Sequence, residues 1–136
     1  MALGILLTFP GAPGLYYGDE IALNQSNPYE VWNGDPMCRG SFPWDESKWN
    51  REVLEWTRRL IHLRKNTPAL RRGGLLPLQA PTGAIAYKRV YQGEEVWVYA
   101  APTPVRLELP PSQNLLSGEK TGGRAVVHGL GVFQIT

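Results

Sequence analysis

Hydrophobic and polar positions divide the chain into three zones. In the first, Met1 to about Leu23, the run Ala2-Leu3-Gly4-Ile5-Leu6-Leu7 is apolar on all sides, which predicts a helix buried all round. Pro10-Gly11 and Pro13-Gly14 break it. Leu15-Tyr16-Tyr17 lacks polar alternation and predicts a short buried strand, closed by Gly18-Asp19-Glu20. The second zone, Asn24 to Trp44, has no clear period and is a loop by composition. Loops of that length are functional or disordered, and Tyr29, Trp32, Phe42 and Trp44 argue for order.

A helix follows from about Ser47 to Asn66. Trp49, Val53, Trp56, Leu60 and Leu63 fall at spacings of 4, 3, 4 and 3, one continuous apolar stripe. Glu55 precedes Arg59 by four residues, a supportive pair, while Arg64 and Lys65 complement the dipole in the last turn. Pro68 stops the helix, because the residue before a proline disfavours the α region. The third zone, from about Leu70 to Thr136, is all-β by pattern, with strands at 83–91, 94–101, 104–110, 114–119, 124–128 and 131–136. Tyr91-Gln92-Gly93-Glu94 reads as a tight hairpin, and short strands at such spacing predict a small sandwich.

Composition narrows the classes. A 136-residue chain with 43% hydrophobic and 19% charged residues is globular, with room for one domain or one domain plus part of another. The net charge of +2 and the lack of a clustered basic face argue against nucleic-acid binding. The first apolar run has no basic n-region and is too short to span a bilayer, so neither a signal peptide nor a membrane anchor is expected. Cys38 is the only cysteine, which rules out an intrachain disulfide and points to a reducing, cytoplasmic compartment. No cofactor is called for: C-x-x-C, His-rich and D-x-D-x-D patterns are missing.

Candidate chemistry centres on Asp19 and Glu20. A retaining glycosidase needs two carboxyl groups about 5–5.5 Å apart and converging on one sugar. Consecutive residues of an extended chain point to opposite faces, so this pair cannot be acid and nucleophile. At most one faces a cleft, and the other is expected in a hydrogen-bonded role. The serines lack a G-x-S-x-G context, and His62 and His128 are expected to be structural. Phe42 and Trp44 have the rings to stack on sugars, with core packing the expectation. Trp97 and Tyr99 share strand parity and form either one aromatic platform or part of the core.

Three motifs in order, "PGAPGLYYGDEIAL", "GDPMCRGSFPWD" and "LIHLRKNTPALRRG", resemble the C-terminal part of the α-amylase superfamily, above all the neopullulanase, cyclomaltodextrinase and maltogenic amylase group. The resemblance covers essentially the whole chain. It implies a mixed fold: the last strand and helix of a (β/α)8 barrel, followed by a small antiparallel β-sandwich. Residues 1–69 would hold the end of helix seven, strand eight, a loop and helix eight of the barrel, and residues 70–136 the C-terminal all-β domain. It places Tyr17, Asp19 and Glu20 at the barrel rim in structural roles, and Asp35 and Arg39 in a substrate-binding loop at the subsite for the non-reducing glucose. It also implies that the catalytic carboxylates, one of them in an Asn-His-Asp stretch, come from earlier strands absent from this sequence, which would begin inside helix seven.

The resulting expectation is a C-terminal fragment of a retaining α-glucan glycosidase, inactive alone. Its parent would act on α-glucan or maltooligosaccharide, with its calcium dependence open. The alternatives are a carbohydrate-binding or structural β domain, or an interaction module whose apolar N-terminal segment is covered by the missing barrel or by a second copy.

Overall fold

A six-stranded antiparallel sheet in the order β1-β2-β3-β6-β4-β5 organises the chain. The structure is a computed structural model that describes residues 1–23 and 41–136. Its strands are β1 (Gly74–Pro77), β2 (Ile85–Tyr91), β3 (Glu94–Glu108), β4 (Ser112–Asn114), β5 (Lys120–Thr121) and β6 (Arg124–Ile135). The helices are α1 (Ala2–Thr8), α2 (Arg51–Asn66) and α3 (Pro68–Arg72). Two compact units result: residues 1–13 with 60–136, and residues 14–59. Helix α2 is shared, its first nine residues in one unit and its last seven in the other.

The β2–β3 hairpin forms where the sequence predicts it. Gln92 and Gly93 both take positive φ, 48° and 87°, so the two-residue turn has the twist that pairs Tyr91 with Glu94. Elsewhere the sequence breaks strands that the structure runs through. The predicted strands 94–101 and 104–110 are one strand, β3, with a register shift between Ala101 and Val105 where Pro102 and Pro104 sit. Prolines donate no ladder hydrogen bond, so a bulge is where a strand can hold them. Opposite that bulge, 124–128 and 131–136 are likewise one strand, β6, bent through Gly129 at φ 83°. At Gly131 a Cβ would stand 2.6 Å from Val127 Cγ2 and 2.7 Å from Phe133 Cε2, so the bend needs a glycine there.

The first half of β3 is covered on both sides. Val96 and Val98 face Tyr87, Val132, Ala69 and Leu70, with Leu63 and Leu130 at the edge. Tyr99 and Ala101, on the opposite parity, join Val105, Leu107, Leu109, Val127 and Phe133. One side of the sheet therefore packs on helical residues, and the other on the sheet's own far half beyond the bend. That is the physical content of the small β domain expected from the sequence: an antiparallel sheet that needs two apolar layers to bury both faces of its central strand.

Three local expectations are corrected. Helix α1 forms, but only Gly4, Leu7 and Thr8 are buried, while Met1 and Leu6 stay exposed. Leu15-Tyr16-Tyr17 is not a strand, and all three residues are exposed. An isolated extended segment has no ladder for its N–H and C=O groups, and the sheet pairs none of these residues. In α2, which starts at Arg51 after a 3-10 turn at Glu46–Lys48, Glu55 pairs with Arg58 at 2.6 Å, and Arg59 lies over the Trp56 ring instead.

The last turn of α2 shows a further departure. Arg64 is buried and reaches back to the end of α1, with Nη1 donating to the carbonyls of Leu7 and Phe9 at 2.9 Å each and Nη2 to that of Gly11 at 2.5 Å. From β2, Arg89, 1% exposed, donates to the carbonyls of Thr8 (2.6 Å) and Gly73 (2.7 Å). The Thr8 hydroxyl bonds the Gly4 carbonyl and the Tyr87 hydroxyl, both at 2.6 Å. A helix ends with unpaired carbonyls, and here two guanidiniums take them, with no carboxylate among the described residues bonded to either. Burial, then the neighbouring Arg64, pulls the Arg89 pKa down from its usual value.

Replacing Arg89 with Met leaves the Thr8 and Gly73 carbonyls unpaired, and is expected to cost about 3 kcal/mol of stability. Urea unfolding followed by circular dichroism measures it; a loss below about 1 kcal/mol would show that the guanidinium is not holding α1 to the sheet.

Candidate functional site

The carboxylates singled out by sequence lie in a tight turn. Asp19–Ile21 forms one 3-10 turn, entered through Gly18 at φ 93° and left through Ala22 at φ 51°. Glu20 Oε2 accepts the Gly18 amide at 2.8 Å, and Asp19 Oδ2 accepts the Tyr16 amide at 3.2 Å. The Gly18 carbonyl in turn accepts the amides of Ile21 (3.1 Å) and Leu23 (2.8 Å). Opposite-face geometry assumed an extended chain; the turn replaces it, and each carboxylate braces the backbone just before it. Tyr17, beside them, is exposed. Asp35 and Arg39 lie outside the described residues.

Gly18 makes this turn possible. A Cβ at that position would approach Leu23 Cβ and Cδ2 at 2.7 Å, on a backbone angle that L side chains rarely adopt. Within the same unit, Phe42, Trp44 and Trp49 form an aromatic group, with centroids 5.0 Å (Phe42–Trp44) and 5.8 Å (Phe42–Trp49) apart. The Trp49 indole donates to the Pro43 carbonyl at 2.6 Å, which fixes its ring. Trp44 is 83% exposed, so the expectation that it packs in a core is corrected. Among the described residues its ring neighbour is Phe42.

The second aromatic feature is in the β domain. Trp97 and Tyr99 lie on one face of β3, centroids 6.5 Å apart, and Tyr99 meets Phe133 edge-on at 6.3 Å. The core alternative holds: Tyr99 belongs to the core, and Trp97, half-buried, packs against its edge. The Trp97 indole N–H donates to Glu95 Oε1, and Lys88 Nζ donates to the same oxygen at 3.0 Å. These two donors, the indole first, hold the Glu95 carboxyl below its usual pKa. Sequence reasoning missed this clamp, although the parity of Glu95 with Trp97 and the hairpin register that sets Lys88 against Trp97 were both there to find.

Among the described residues, no three His, Cys, Asp or Glu side chains gather as a metal site, and no helix is long and apolar enough to cross a membrane. His62 and His128 are exposed.

Comparison with known proteins fits the motifs. No family model matches the chain. It is 35% identical over 129 residues to a cyclomaltodextrinase of Geobacillus thermopakistaniensis (strain MAS1), covering 88% of this chain and 21% of the relative. It is 33% identical over 112 residues to a maltogenic alpha-amylase of Bacillus acidopullulyticus, covering 79% and 18% respectively. Its fold matches the solved structure of a cyclic alpha-maltosyl-(1-->6)-maltose hydrolase from Arthrobacter globiformis with a TM-score of 0.78 at 27% identity, over 99% of this chain and 29% of that one. The chain thus spans about a fifth of the length of the curated relatives it matches.

Two outcomes check this geometry. Gly18→Ala is expected to destabilise the turn by about 1–3 kcal/mol and to speed hydrogen exchange of the Leu23 amide; unchanged exchange would show that the turn does not depend on Gly18. Glu95 has a depressed folded pKa, so its contribution to stability is present above the unfolded value, about 4.3, and is lost as pH falls through the lower folded value. The stability difference between wild type and Glu95→Gln, read from urea midpoints, should therefore shrink steadily below about pH 4. A difference independent of pH would contradict the clamp.

Proposed function

We propose that this chain, which belongs to the α-amylase superfamily, is the C-terminal piece of a retaining glycoside hydrolase acting on α-glucans, cyclomaltodextrins among them. The observation that carries the reading is the likeness to a cyclomaltodextrinase along 88% of the chain. In this reading residues 1–69 complete a catalytic barrel and residues 70–136 form the domain that closes it. Tyr17, Asp19 and Glu20 belong to the barrel rim, where the turn at Gly18 sits beside a cleft built by the preceding strands.

The chemistry follows from that assignment. Retaining hydrolysis needs a nucleophile and an acid on opposite sides of the scissile bond. The resemblance to the family implies that these two groups come from earlier barrel strands of a longer protein, while both carboxylates of the Gly18 turn accept backbone amides. Asp35 and Arg39 contribute to binding: a planar guanidinium held bidentately by a carboxylate keeps donors for sugar hydroxyls. The exposed Met1 and Leu6 of α1 are covered by earlier barrel elements rather than by a second copy. The compartment is the cytoplasm, in keeping with a single cysteine.

The purified 136-residue chain is expected to show no turnover of β-cyclodextrin, maltotriose or pullulan. The protein extended upstream of Met1 should hydrolyse them and release products of retained α configuration, seen by NMR before mutarotation. In that longer protein Arg39→Ala should lower kcat/KM about 100-fold, roughly 2.7 kcal/mol of transition-state stabilisation. Turnover by the chain alone, or inversion, would overturn the assignment.

A further inference from the structure

Beside the Trp97 ring the β domain carries a hollow of about 400 Å³, within the range of about 300–1,000 Å³ typical of small-molecule sites. Gln79, Trp97, Tyr99, Arg106, Leu107 and Glu108 line it. Its polar groups have little to do inside the protein. Among the described residues, no side chain or backbone group hydrogen-bonds the Tyr99 hydroxyl, the Arg106 guanidinium, the Glu108 carboxylate or the Gln79 amide, and neither charge is in an ion pair. Glu108 stands opposite Arg124 in the β3–β6 register, yet the two do not bridge. Tyr99 is almost fully buried, and burial alone raises its pKa, so its hydroxyl is a neutral donor at physiological pH. The one ring at the edge is held rigid: Glu95 grips the indole N–H, and Lys88 grips Glu95.

We propose that this hollow is a sugar-binding subsite that takes a glucose unit of an α-1,4-glucan. The chemistry selects a neutral polyol. Arg106 and Glu108 cancel in charge, so neither an anion nor a cation gains from the site as a whole. Together with Tyr99 and Gln79 they offer donors and acceptors side by side, as a ring of hydroxyls requires. The apolar C–H face of a pyranose packs on the electron-rich face of an indole, and an indole already fixed by Glu95 loses no rotamer freedom on binding. The choice of an α-1,4-glucan among sugars rests on the reading of the chain as part of an α-glucan hydrolase.

Isothermal titration of the 136-residue chain with maltoheptaose tests it. Saturable binding is expected with a dissociation constant on the order of 1 mM. Arg106→Ala and Glu108→Gln, both at exposed positions, should each weaken binding about 10-fold or more without moving the urea midpoint, and Trp97→Ala should abolish it. Trp44→Ala should leave it unchanged. No binding of maltoheptaose, or binding lost in Trp44→Ala and kept in Arg106→Ala, would overturn the subsite. Equal or tighter binding of cellohexaose would overturn its assignment to an α-glucan. The catalytic reading fails separately: the extended protein would then leave β-cyclodextrin intact whether or not this chain binds maltoheptaose.

Discussion

Two buried guanidiniums hold the first thirteen residues onto the β domain, and the rest of that unit depends on the grip. Arg64 and Arg89 come from different elements, 25 positions apart in sequence, and converge on the carbonyls that end α1. The negative end of a helix and the exposed carbonyls after it make a site for cations. That is why two positive charges can be buried near each other with no carboxylate among the described residues bonded to them. Tyr87 is bonded to Thr8 and edge-on to Phe9 at 5.5 Å, so hydrogen bonding and aromatic packing reinforce the same junction. Arg89 also holds Gly73, which ties α1, the end of α3 and β2 into one polar node beneath an apolar layer. One polar atom of that node, Arg89 Nε, is buried without a partner among the described residues. Such a node tolerates no loss of a donor, because each carbonyl it serves is shielded from water.

The sheet depends on a different constraint, the corner shared by β3 and β6. Pro102 and Pro104 lie between Ala101 and Val105, which pair with Gly129 and Val127 of β6, and Gly131 pairs with Tyr99 just before the bulge. The prolines remove ladder hydrogen bonds, and the glycines allow the backbone to turn and Phe133 to lie across it. Bending there lets Leu107 and Leu109 return over Tyr99 and Ala101, so a single sheet supplies both layers around its own central strand. The same bend brings Arg106 and Glu108 beside Trp97, which is how a packing device also shapes a hollow.

Much of this was legible in sequence, and the failures share a cause. The amphipathic stripe of α2, the Gln92-Gly93 hairpin and the β character of the last half all follow from local periodicity and turn chemistry, and the structure has each of them. Pro102, Pro104 and Gly129 were read as strand ends because the sequence signal for a bulge is the same as that for a turn; only the partner strand distinguishes them. Leu15 to Tyr17 has the composition of a buried strand, but strand geometry belongs to a ladder and not to a segment. Arg64 looked like a helix-end cation for its own helix, and its side chain serves another.

By itself, the sequence determined the family, the helix and the hairpin, because these rest on local order, spacing and the identity of short motifs. Tertiary structure alone decided which of the carboxylates' oxygens meet which amides, that Trp44 stands free of a core while Tyr99 does not, and that Trp97, Arg106 and Glu108 share one hollow. Those outcomes depend on where distant backbone segments come to lie, and a carbonyl 57 positions away, such as the Leu7 oxygen bound by Arg64, leaves no trace in the periodicity of either segment.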